Sequence, residues 1–120
     1  MTELTKAEEQ IMRVLWKKER AFIKDIIESL PDPKPAYNTV GTFLKILEKK
    51  EFVNRKKYGN TFEYEAAVPK SQYTGFIMKS FVSKYFEGSV EHMLSFFVKN
   101  KDLDLETFEE FTKKLKDDQS

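Results

Sequence analysis

Apolar residues recur at helical spacing along most of the chain, and the period changes to two only once. Ala7, Ile11, Val14 and Leu15 form one stripe, with Met12 and Trp16 beside it, so a first helix is expected with Trp16 in its core contacts. It opens on Thr5-Lys6-Ala7-Glu8. There the Thr5 hydroxyl can accept the Glu8 amide while the Glu8 carboxylate reaches back to the Thr5 amide. Ile23, Ile26, Ile27 and Leu30 then follow at i, i+3, i+4 and i+7, which predicts a second, shorter helix. It must stop at Leu30-Pro31-Asp32-Pro33-Lys34-Pro35, because proline cannot supply the amide that a continuing helix needs. Pro35 suits the first turn of a third helix. Val40, Leu44 and Leu47 mark the inner face of that helix, with Phe43 at its flank. Asn38, Thr42, Lys45 and Lys49 lie on the opposite side, flanked by Thr39 and Gly41.

The alternating segments are Phe52–Lys57 and Thr61–Ala66, which bracket Tyr58-Gly59-Asn60 and predict a β-hairpin with a short basic tip. Helical spacing resumes after Pro69 with a stripe of Tyr73, Phe76, Ile77, Phe81 and Tyr85. Gly88 interrupts it, and Ser89 can cap a helix carrying Val90, Met93, Leu94, Phe97 and Val98. Asp104 can cap a last helix with Phe108, Phe111 and Leu115. The expected fold is therefore mainly α with a small β-wing. A winged helix-turn-helix domain over residues 1–70 is followed by a helical domain over residues 71–120.

Charge sharpens this division. The whole chain of 120 residues has 21 basic and 20 acidic side chains, a net charge of +1. Residues 1–70 carry +3 and residues 71–120 carry −2. Between Lys34 and Tyr58 seven basic residues face only Glu48 and Glu51, whereas Leu103–Ser120 is −3. A concentrated cationic window beside an acidic part fits a binder of polyanions, although a solvated helix face with an acidic tail would look the same.

Several chemistries are excluded. With no cysteine and a single histidine, His92, the chain has no disulfide, no thiolate or histidine metal cluster, and no Ser/His/Asp set beyond one that would use His92 itself. His92 is read as a surface residue of its helix. No Gly-rich phosphate loop occurs, and the carboxylates lie on polar helix faces, so neither catalysis nor a cofactor is expected. No apolar run reaches the roughly 18 residues of a membrane span, and Met1-Thr2-Glu3 does not open a signal peptide, so a cytoplasmic chain with no membrane partner is expected.

Three helices and a hairpin suit double-stranded DNA. The third helix of such a module enters the major groove, about 12 Å wide, and the hairpin lies along the flanking backbone. Asn38, Thr39 and Thr42 are short polar side chains that can reach base edges. Lys45, Lys49, Lys56 and Lys57 can neutralise phosphates, with Tyr37 and Asn60 completing the backbone contacts. Plainer readings stand beside these. Asn38 and Thr39 could cap a helix that begins later. Gly41 could be a tolerated helix glycine rather than an opening for close approach. Lys49-Lys50 could simply oppose the helix dipole. A winged helix that binds protein rather than DNA remains the alternative function.

Residues 71–120 hold seven of the eleven phenylalanines, more apolar surface than three short helices can bury alone. Pairing with a second copy through Tyr73, Phe76, Ile77, Phe81, Tyr85, Val90, Met93, Leu94, Phe97, Phe108, Phe111 and Leu115 would cover it. Two recognition helices would then lie about one DNA turn apart. A monomeric helical cap folded onto the first domain is the competing reading.

The residues also resemble a known family. Leu4-Thr5-Lys6-Ala7-Glu8 running to Val14-Leu15-Trp16 is similar to the opening of the penicillinase-repressor family of bacterial regulators (the BlaI/MecI/CopY type). Tyr37-Asn38-Thr39-Val40-Gly41-Thr42-Phe43-Leu44, with Leu47 and Lys49-Lys50, resembles its recognition helix. Tyr64 and Phe86-Glu87-Gly88-Ser89 match later landmarks, so the likeness runs from Leu4 to Leu115. It implies a homodimeric winged-helix repressor on pseudo-palindromic promoter DNA, paired through its C-terminal helices. It also implies a regulatory protease as a partner, cutting an Asn–Phe bond in a C-terminal helix. Carried over, that bond falls near Phe96–Phe97, where Asn is missing. The cysteine motif of the copper-responsive branch is absent. The family often has Arg or another long side chain where Gly41 stands, and tends to place Gly where this chain has Glu51.

Overall fold

The computed structural model describes residues 1–100 together with positions 104, 106, 109, 110 and 113. Phe108, Phe111 and Leu115 of the expected last helix lie outside the described residues, while Glu106, Glu109, Glu110 and Lys113 are helical. Contacts divide the chain into two compact units, Met1–Phe76 and Ile77–Ser120. The architecture is mainly helical with one small antiparallel sheet, the winged helix-turn-helix arrangement that the spacing predicts.

The first unit begins with α1 (Lys6–Lys18), β1 (Arg20–Phe22) and α2 (Ile23–Ser29). Both arms of the capping box of α1 form: Thr5 Oγ1 accepts the Glu8 amide at 3.3 Å, and Glu8 Oε1 accepts the Thr5 amide at 2.9 Å. Asp25 Oδ2 accepts the Phe22 amide at 3.1 Å ahead of α2. The prolines end α2, and the Lys34 ammonium donates to the carbonyls of Glu28 and Leu30 left open there. α3 spans Tyr37–Lys49, so Pro35 stands just outside it rather than in its first turn, and Ala36 is the extended N-cap. Asn38 and Thr39 are accordingly inside the helix, not its caps.

α3 ends in a Schellman motif. The Glu51 amide donates to the Glu48 carbonyl at 3.0 Å and the Phe52 amide to the Leu47 carbonyl at 2.9 Å. Leu47 and Phe52 are both fully buried, which supplies the apolar contact of that motif. The turn needs a left-handed residue, and Glu51 takes it with φ 65°. The chain then enters β2 (Val53–Tyr58) and β3 (Thr61–Ala66), joined by a two-residue turn in which Gly59 has φ 59°.

The hairpin is not alone. β1 pairs with β3 in the register Arg20↔Glu65, Ala21↔Tyr64 and Phe22↔Glu63, so the sheet has three strands in the order β1-β3-β2. Three residues are too few to show a period of two, which is why this strand is not visible in the sequence. Met12, Leu15, Ile26, Val40, Leu44, Leu47, Phe52 and Val53 fill the core between helices and sheet. The first turn of α4 (Lys70–Phe86) closes this unit: the Tyr73 hydroxyl accepts the Leu4 amide at 2.8 Å, and its ring packs on Trp16 and Phe52. Trp16 is anchored in turn by its indole N–H on the Val68 carbonyl at 2.8 Å.

The second unit holds the rest of α4 and α5 (Val90–Lys99). Val82, Met93 and Leu94 form its core, with Phe86, Val90 and Phe97 packed around them. Ser89 caps α5 by accepting the His92 amide at 3.1 Å, and His92 is exposed. The stripe read from the sequence on α4 differs from the buried one here. Val82 is buried, whereas Phe81 and Tyr85 are exposed. The first turn of α4 serves one unit and its remainder another, so no single stripe runs its length.

A non-glycine residue at the left-handed end of α3 costs about 1 kcal/mol. Glu51→Gly should therefore raise the urea midpoint by about that much free energy at unchanged slope. An unchanged or lowered midpoint would contradict the strain assigned to this turn.

Candidate nucleic-acid interface

What fixes α3 is a buried carboxylate. Glu8, 2% exposed, receives the Lys50 ammonium at 3.2 Å on Oε1 and 3.0 Å on Oε2, besides the Thr5 amide. Burial pushes the Glu8 carboxyl up, but the Thr5 amide, the Lys50 ammonium and the Thr5 hydroxyl together outweigh it and hold it below its ordinary value. The start of α1 is thereby tied to the end of α3, 42 residues away. Lys50 is consumed by this pair, which the neighbouring Lys49 does not share.

With Val40, Leu44 and Leu47 turned inward, α3 presents Tyr37, Asn38, Thr39, Thr42, Lys45 and Lys49 to solvent. The Thr42 hydroxyl donates to the Asn38 carbonyl at 3.0 Å, so its methyl and lone pairs are what remain for a ligand. Among the described residues a Cβ added at Gly41 would meet only Ile23 Cδ1, at an ordinary 3.8 Å, so none of them requires glycine there.

Cross-strand register sorts the wing residues. Arg55 and Lys57 lie opposite Tyr64 and Phe62, on the sheet face of buried Val53, while Lys56 lies opposite Glu63 on the other face. Lys56 also sits over the Tyr58 ring at 5.4 Å. Between α3 and the wing lies a hollow of about 400 Å³. Tyr37, Asn38, Thr42 and Lys45 line it from the helix, and Arg55, Asn60, Thr61, Phe62 and Tyr64 from the sheet. Burial pushes the Tyr64 phenol up, opposed by the Arg55 guanidinium beside it. Of the residues expected at this surface, Tyr37, Asn38, Thr42, Lys45 and Asn60 are brought together here, while Thr39, Lys49, Lys56 and Lys57 do not line the hollow.

Arg55 is the residue that sequence reasoning passed over. Its Nε contacts Glu48 Oε2 at 3.0 Å and its guanidinium stacks 4.3 Å from the Phe62 centroid. The signal was present in the alternation Val53, Arg55, Lys57, which puts Arg55 on the inward face. Lys45, Lys49 and Lys57, in contrast, have no ion-pair partner among the described residues.

The residues expected to pair two copies divide as well. Tyr73 is buried in the first unit, and Met93 and Leu94 in the second. Phe81 and Tyr85 remain exposed at 38% and 69%, and so does Phe96, which the sequence did not mark for pairing, at 51%. Their rings form a connected run: Tyr85 on Phe81 at 5.0 Å, Phe81 on Phe86 at 5.8 Å and Phe86 on Phe96 at 5.9 Å. Among the described residues no helix is long and apolar enough to cross a membrane.

Residues 4–117 match the family described as penicillinase repressor. The chain belongs to the penicillinase repressor family. It is 31% identical over 109 residues to the methicillin resistance regulatory protein MecI of Staphylococcus aureus (strain N315), covering 90% of this chain and 89% of that protein. It is 28% identical over 109 residues to the penicillinase repressor of Bacillus licheniformis, covering 90% of this chain and 85% of the other. A solved structure described as that of the CopR repressor aligns at TM-score 0.46 and 32% identity over 54% of this chain and 96% of its own. Membership rests on the family match over residues 4–117 and on the 31% likeness to MecI. Penicillinase repressors are transcriptional repressors rather than enzymes.

The Glu8 carboxylate supplies stability above the ordinary carboxylate range, and this is lost as pH falls through its lowered folded value. Glu8→Gln should cost about 2 kcal/mol at neutral pH, less than for a fully buried pair because Lys50 can be hydrated. The difference should shrink as the solution is acidified towards about pH 3. A deficit in denaturant midpoint that stays constant over that range would contradict the pairing.

Proposed function

We propose that this chain acts as a homodimeric, sequence-specific DNA-binding transcriptional repressor, with residues 1–70 on DNA and residues 71–120 pairing two copies. In this reading α3 lies in the major groove. Asn38, Thr39 and Thr42 meet base edges, since Asn can bond adenine through two hydrogen bonds and a Thr methyl can pack on thymine. Tyr37, Lys45, Lys49, Lys57 and Asn60 take the backbone, with Lys56 on the outer face of the wing reaching a flanking phosphate. The observation that carries the reading is the solvent-facing row Asn38, Thr42, Lys45 on a helix whose other face is core, beside a basic wing, in a chain of a repressor family. The occupant proposed for the exposed Phe81, Tyr85 and Phe96 rings is a second copy. Closed two-fold pairing would match a pseudo-palindromic promoter site.

Fluorescence anisotropy with a labelled promoter fragment and a scrambled duplex tests the DNA half. Asn38→Ala and Thr42→Ala should each lose about 1–3 kcal/mol on the preferred site and little on the scrambled one. Lys57→Ala should weaken both alike. Equal losses on both duplexes for the helix variants would contradict their assignment to bases. A wild-type chain that ignores DNA at low salt would instead favour a protein-binding winged helix.

Light scattering tests the pairing half. Wild type should weigh two chains, and the double substitution Phe81→Asp with Tyr85→Asp should weigh one. A variant that stays paired would move the interface away from these rings.

A further inference from the structure

The Glu48–Arg55 pair stands where the proposed DNA backbone would pass. Arg55 faces the hollow between α3 and the wing, where the helix supplies Asn38, Thr42 and Lys45 and the hairpin supplies Asn60 and Thr61. Its guanidinium plane is set by stacking on Phe62 at 4.3 Å, so little rotamer freedom remains to be lost when it meets a phosphate. Its anionic partner is the Glu48 carboxylate at 3.0 Å, with the Tyr64 hydroxyl beside it. Carboxylate and phosphate oxygens take the same planar fork of donors.

We propose that Arg55 is a further DNA-contact residue, and that Glu48 stands in for a DNA phosphate in the free protein. The inference rests on the DNA-binding reading above and adds to it an exchange of one anion for another. Side-chain exposures of 42% for Arg55 and 37% for Glu48 leave the pair in contact with water, where such a bond is weak and easily replaced. The exchange leaves the Glu48 carboxylate near the DNA, so Glu48 restrains affinity while Arg55 supplies it. A pair that merely braced the wing against α3 would have no such opposition, because losing either partner would loosen the same bond.

The two roles separate by sign. Anisotropy with a labelled random-sequence duplex of about 30 base pairs, at salt from about 50 to 200 mM, measures affinity and its salt slope for the full chain. Arg55→Gln should weaken binding about fivefold and make the slope shallower by about one unit. Glu48→Gln should tighten binding about threefold and make the slope no shallower, since an opposing anion has gone. Arg55→Lys, which keeps the charge and loses the stacked plane, should fall between wild type and Arg55→Gln. Thermal melting of each variant verifies that the core is intact. Equal weakening by Arg55→Gln and Glu48→Gln would overturn the proposal in favour of a brace, and so would wild-type affinity and slope in Arg55→Gln. Failure of the wild-type chain to bind the duplex at the lowest salt would overturn the DNA-binding reading itself, before any variant is compared.

Discussion

One buried carboxylate organises the first unit. Glu8 closes the capping box of α1 through the Thr5 amide and holds the Lys50 ammonium from the end of α3. Taking two charges out of water costs nearly as much as their attraction returns, so the pair is better understood as fixing a register than as adding net stability. The register matters because α3 ends at once in the Schellman turn, with Leu47 and Phe52 buried beneath it. β2 begins one residue later. The angle of the helix and the root of the wing therefore depend on the same few atoms.

The same pair changes how the charge of the chain should be read. Seven cations between Lys34 and Tyr58 look like one basic patch in the sequence. Lys34 is spent on the carbonyl end of α2, Lys50 on Glu8 and Arg55 on Glu48. Among the described residues Lys45, Lys49, Lys56 and Lys57 remain outside such ion pairs, two on α3 and two on opposite faces of the wing. A near-neutral chain can thus present a local cationic surface without being cationic overall, provided that its carboxylates are placed where they hold structure.

Much of the fold was legible because its causes are local. The capping box at Thr5 and Glu8, the proline stop after Leu30, the inward row Val40, Leu44, Leu47 and the Ser89 cap depend on residues within a few positions of one another. The features that escaped the sequence are those made by distant partners. β1 exists because β3 offers it an edge, and Tyr73 is core because Leu4, Trp16 and Phe52 meet it. Residue types marked the solvent-facing side of α3, but the roles of Lys50 and Arg55 required knowing which carboxylate each one touches. The wing cations could be counted from the sequence, yet only the strand register separates Lys56 from Lys57.

In the proposed function the outward face of α3, held in place by Glu8 and Lys50, reads a DNA sequence as part of a pair. Selection of bound duplexes from a random DNA pool measures both the reading and the pairing. An inverted repeat whose half-sites are centred about one helical turn, roughly 10 base pairs, or a small multiple of it apart should be enriched. A pool that stays unenriched after successive rounds, or that enriches sequences with no dyad symmetry, would contradict it.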